Sequence, residues 1–131
     1  MAKKKQVKKI DPKHIGVPNL CFSLTDAKDK REKAFAKQRL KMGFDDSELW
    51  SLNTSIARFA LPRLKRFKEV SPGVSGNFTE KQWHKTLDKM ILSMELVIRN
   101  TEGPGFVIGK ERKKMEEGLA LFSKHFLGLW W

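Results

Sequence analysis

Residues 44–70, FDDSELWSLNTSIARFALPRLKRFKEV, leave few folds open to this chain. Leu49, Leu52, Ile56, Phe59 and Ala60 recur three to four residues apart, which gathers them on one face of an α-helix. Asp45 and Glu48 have the D-x-x-E form of a capping box, so a helix is expected to start here with its carboxylates at the positive end of the dipole. Pro62 removes the N–H that would bond the Arg58 carbonyl. Because Leu64 and Phe67 keep the apolar phase beyond it, a kink is expected rather than a break and restart.

Two polar residues interrupt this face. Asn53 lies between Leu49 and Ala60 on the helical wheel, and Arg63 between Leu52 and Ile56. Either they are satisfied edge residues turned to solvent, or they point into a polar pocket where Arg63 meets an anion. Arg63, Lys65, Arg66 and Lys68 crowd the end of the same helix. They complement the helix dipole on one reading and form a phosphate-binding patch on the other.

Further helices follow from local signals. Thr25 or Asp26 can cap a first, charge-rich helix running to Met42, docked by Phe35 and Leu40 and stopped by Gly43. Such a helix is a solvated element or lies along a phosphate backbone. Thr79 and Gln82 form a second capping box, with Phe78 placed to staple onto Trp83. The helix they open, to Arg99, carries Trp83, Leu87, Met90, Met94 and Val97 on one face and Leu92 and Leu96 on the other, so it is either central in the bundle, the favoured reading, or exposes a partner surface. A last helix, 110–129, carries Met115, Leu119, Phe122, Phe126 and Leu129, with Gly118 on that stripe giving room for close approach of another helix. In the loop between these two, Phe106 and Ile108 are expected to pack on the core. The expected fold is all-α: three long helices (44–69, 79–99, 110–129) and a shorter charged one before them. Residues 1–24 form a basic tail and an extended strap, and residues 25–131 a single helical domain.

The formal net charge is +12, and residues 1–42 hold 13 basic against 4 acidic side chains. This asymmetry points to a polyanion. Lys3, Lys4, Lys5, Lys8 and Lys9 make the tail a solvated segment or a nucleic-acid arm. No apolar run approaches the ~20 residues of a membrane span. The lysines are not followed by a signal-peptide core, and Cys21 has no disulfide partner, so a reducing compartment is expected. Trp130 and Trp131, or Leu92 and Leu96, offer surfaces for a partner or a second copy.

Catalytic signals are missing. His14, His84 and His125 are scattered without zinc-ligand spacing, and the serines lack a nucleophile-elbow context. GPGFVIGK fails as a phosphate loop, because three residues separate Gly105 from Gly109 and Lys110 is followed by Glu111. No metal or cofactor is implied.

The stretches FDDSELWSLNTSIARFALPRLKRFKE, EKQWHKTLDKMI and EEGLALFSKHFLGLWW resemble small proteins encoded by bacteriophages. The resemblance covers roughly residue 44 to the C-terminus and transfers no functional residue. It implies action in the cytoplasm of a bacterial host. Two functions are then expected: a non-enzymatic DNA- or RNA-binding accessory protein using phosphate contacts, or an anti-defence or host-takeover protein. The second would inhibit an acidic host protein or sequester an anionic nucleotide in a pocket at Asn53 and Arg63.

Overall fold

The computed structural model describes residues 21–103 and 105–130. These are all-helical: α1 Glu32–Met42, a 3-10 turn Asp46–Leu49, α2 Leu52–Val70, α3 Glu80–Glu102, α4 Gly109–Lys124 and a closing 3-10 turn Phe126–Gly128. No strand occurs among the described residues, and none of their helices is long and apolar enough to cross a membrane. The chain forms two compact units, Met1–Ser55 and Ile56–Trp131, which divide within α2.

In the first unit, α1 starts later than its charge pattern suggests. The Asp26 and Asp29 side chains accept from the N–H groups of Lys28 and Arg31, holding two turns that compete with helix at residues 26–31. Gly43 ends α1 in the left-handed conformation, φ 86°, as expected of a C-terminal glycine. The Asp45–Glu48 capping box is present, but it caps a single 3-10 turn. The α-helix proper begins afterwards, where Ser51 O accepts from the N–H groups of Thr54 and Ser55.

The second unit is built on α3. Its Thr79–Gln82 capping box is complete, and Phe78 packs on Trp83 with ring centroids 5.4 Å apart. Trp83, Leu87, Met90, Met94, Leu96 and Val97 are buried, so α3 is apolar on two sides because it is central. Leu96 is therefore core, and Leu92 packs partly buried against it, so of the two readings of this side, core and partner surface, the core one holds. Gly118 of α4 sits directly on α3, where an added Cβ would lie 2.2 Å from Lys89 O and 2.5 Å from Ser93 Cβ.

Two expectations about the core are corrected. The stripe Leu49, Leu52, Ile56 and Phe59 faces outward, each about half exposed, while Ala57 and Leu64 join the core cluster. Apolar residues surround much of α2, so spacing alone does not set its phase. Ala57 and Leu64 join the core cluster with the α3 residues, Leu61 and Phe67 pack against it, and the pairs Arg58–Glu102, Lys65–Glu95 and Lys68–Asp88 lie alongside. In the connection before α4, Phe106 and Ile108 are exposed and Val107 is buried between them. The extended backbone alternates its side chains, and Asn100 Oδ1 accepts the Val107 N–H at 2.9 Å, fixing which one turns in. Helix α2 runs on through Pro62 without restarting.

Candidate nucleic-acid interface

The arrangement of α1 begins with a charge buried where a hydrophobe would ordinarily sit. Glu32, Phe35 and Arg39 share its inward face, and Arg39 is completely buried. The Arg39 guanidinium donates to Asp45 Oδ2 at 2.5 Å and to Glu32, and Nη1 also reaches Ser23 Oγ at 3.2 Å. Asp45, also fully buried, accepts from Ser23 Oγ, from Ser47 Oγ and from Ser47 N. Ser47 Oγ accepts the Leu24 N–H at 2.8 Å, and Thr25 Oγ1 donates to Glu32 at 2.7 Å. One guanidinium thus ties residues 21–25, α1 and the Asp45–Glu48 turn together. No buried side-chain nitrogen or oxygen among the described residues lacks a partner, which is what makes a buried ion pair tolerable.

Around this network the dock is completed by Arg31, stacked 4.6 Å over Trp50, by Phe35 edge-on to the same ring, and by Gln38, bonded to Asp46. Leu40, expected as a docking residue, is half exposed; Arg39 takes the inward place.

The consequence is a lysine face. Lys33, Lys37 and Lys41 are spaced i, i+4, i+8 on the side of α1 opposite Phe35 and Arg39, and all are exposed. They span roughly 12 Å along the helix. Among the described residues no carboxylate lies within 4 Å of any of the three. The acidic groups nearest in sequence are already engaged, Asp29 with Arg31, Glu32 with Arg39 and Asp46 with Gln38.

The central cations differ. Lys65 pairs with Glu95 at 3.5 Å, Arg66 with Glu69 at 3.0 Å and Lys68 with Asp88 at 2.7 Å. Arg63 stacks 3.7 Å over its neighbour Phe59 and donates to the Phe59 carbonyl. A phosphate would have to displace partners there, although exposed ion pairs are worth only about 0–1 kcal/mol. Asn53 and Arg63 are both exposed. Lys3, Lys4, Lys5, Lys8 and Lys9, and Trp131, lie outside the described residues; Trp130 is largely exposed.

Titration of the network is asymmetric. Burial pushes the Asp45 carboxyl up, but the hydrogen bonds from Ser23, Ser47 and Arg39 outweigh it and hold Asp45 below the ordinary carboxylate range. A depressed folded-state pKa contributes stability above the unfolded value of ~3.9 and loses it as pH falls through the folded value. Denaturant midpoints are therefore expected to be level above about pH 5 and to drop below about pH 4. Asp45→Asn should flatten that acid limb; an unchanged limb would mean that other carboxylates cause it. Burial, and then the Glu48 carboxylate, push the Cys21 thiol up to about 11, so it is a protonated donor to Glu48 Oε2 and not a nucleophile at neutral pH. His125 packs edge-on against Phe78 and Trp83.

Sequence reasoning missed Arg39, Glu32, Ser23 and Ser47. The signal was present in α1: its thin apolar stripe contains an arginine one turn after its single buried phenylalanine. No family model, curated protein or solved structure matches this chain.

Proposed function

We propose that this chain is a small, basic, non-enzymatic accessory protein that binds nucleic acid through its phosphates. The observation that carries the reading is the lysine face of α1, whose three cations have no carboxylate within 4 Å among the described residues, while the network behind them fixes the helix. Lys3, Lys4, Lys5, Lys8 and Lys9 add cations to the same unit, and Arg63, Lys65, Arg66 and Lys68 form a secondary patch that must exchange carboxylates for phosphates. The resemblance to phage-encoded proteins is what supports the cytoplasm of a bacterial host as the proposed site of this activity. Contacts of this kind distinguish DNA from RNA poorly and sequences hardly at all.

The test is the salt dependence of binding to a labelled strand or duplex. Replacing Lys33, Lys37 and Lys41 together by glutamine is expected to make the slope of log K against log salt shallower by roughly 2–3, from three phosphate contacts. An unchanged slope would remove α1 from the interface.

A second reading, a host-takeover protein acting on a host protein, is favoured by the half-exposed apolar residues Leu52, Ile56 and Phe59 along α2. Capture from host lysate with and without nuclease separates the two.

A further inference from the structure

Helices α3 and α4 run antiparallel, as the pairs Arg99–Glu111 and Lys89–Glu117 show. At Gly118 helix α4 sits against Lys89 and Ser93. Toward the start of α3 the two are still bridged, Trp83 meeting His125 with ring centroids 5.9 Å apart. The opening between the first turns of α3, the last turns of α4 and the end of the 71–78 loop is a cleft of about 520 Å³. That volume lies within the ~300–1,000 Å³ typical of small-molecule sites.

The chemistry of the cleft is divided. Phe78 and Leu121 give it an apolar lining. Lys85 and Lys89 stand on its α3 side. Lys89 is bonded to Glu117 at 2.8 Å across the opening, whereas Lys85 is exposed with no carboxylate within 4 Å among the described residues. Two carboxamides complete it. Gln82 Oε1 accepts the Thr79 N–H at 2.9 Å, which fixes the amide and leaves its NH₂ group to donate; Asn77 is exposed beside it. A flat apolar surface, amide groups for a polar edge and an unneutralised ammonium together match a planar heterocycle carrying a phosphate. A simple inorganic anion would leave the apolar lining unused, and a purely apolar ligand would leave Lys85 and the amides unused.

We infer that this cleft holds one nucleotide, its base against Phe78 and Leu121 with its edge toward Asn77 and Gln82, and its phosphate on Lys85. The inference rests on the nucleic-acid reading for its choice of ligand class, but it concerns a different surface from α1. The nucleotide could be free or part of a single strand, since both present the same base and phosphate. A duplex does not offer an unstacked base.

The experiment is an amide-shift titration of the full ¹⁵N-labelled chain with adenosine 5′-monophosphate, adenosine, inorganic phosphate and a short single-stranded oligonucleotide. Saturable shifts at Asn77, Gln82, Lys85 and Thr86 are expected with the mononucleotide, with adenosine and phosphate at least tenfold weaker. Lys85→Ala, an exposed position that does not endanger folding, is expected to weaken the mononucleotide at least fivefold. Absence of saturable shifts there, or an unaltered affinity in Lys85→Ala, overturns the inference. If the oligonucleotide shifts α1 while neither it nor the mononucleotide shifts the cleft, the cleft assignment fails and the phosphate-contact reading survives. If the mononucleotide fills the cleft and no strand binds, the cleft stands as a free-nucleotide site and the α1 reading fails.

Discussion

Asp45→Ala is expected to lower the stability of the first unit by about 3–5 kcal/mol, the range for removing one partner of a buried ion pair. The magnitude follows from what is left behind. Arg39 has no exposed surface and cannot reach water without moving α1 off the Asp45–Glu48 turn. The Arg39 guanidinium would lose the fully buried carboxylate of its network, and Ser23 and Ser47 would each lose an acceptor. The loss comes from stranding a buried charge and is not the net worth of the pair. Removing both charges in Arg39→Met with Asp45→Asn is therefore expected to cost less than Asp45→Ala alone. Denaturant unfolding gives the energies, and amide exchange in α1 locates the effect. A loss below about 1 kcal/mol would show that Arg39 finds solvent or another partner and that the network does not anchor the helix.

Gly118→Ala is expected to destabilise the second unit by about 1–3 kcal/mol or more, against the usual direction of a glycine-to-alanine change in a helix. Inside a helix alanine gains roughly 1 kcal/mol over glycine. Here the new Cβ would sit 2.2 Å from Lys89 O, a backbone carbonyl of α3 that cannot rotate aside, and 2.5 Å from Ser93 Cβ. The helices must separate, which loosens Met115 against the α3 core. Gly128 provides the control. A Cβ there meets the Ser75 hydroxyl, which can turn away, and the Ser75 Cβ at 3.2 Å, but no backbone atom, so Gly128→Ala should cost clearly less than Gly118→Ala. If Gly118→Ala raised the thermal midpoint, the close α3–α4 contact would be refuted.

Gly118 was readable before any coordinates because it interrupts an apolar stripe at helical spacing, and the Thr79–Gln82 box and the Phe78–Trp83 staple were readable because they are local. The phase of α2 was not. Its leucines, phenylalanines and alanines cover so much of the wheel that only the packing against α3 decides which side is buried: Ala57 and Leu64 are in the core, whereas Leu52, Ile56 and Phe59 are half exposed. The same limit applies to the charged groups. Lys65, Arg66 and Lys68 form a patch in sequence and are largely paired in space, whereas Lys33, Lys37 and Lys41 look like ordinary solvated lysines until Arg39 is seen facing inward behind them. A buried arginine announces itself only through partners distant in the chain, here Asp45 and Ser23.

The most direct measurement is the affinity of the unaltered chain for a single DNA or RNA duplex, compared with one of unrelated sequence, between 50 and 200 mM salt. Three phosphate contacts from α1 predict a fall of at least roughly 40-fold over that range, steeper with contacts from the tail, and nearly the same for both sequences. Affinity that does not respond to salt, or no binding at 50 mM, would contradict it.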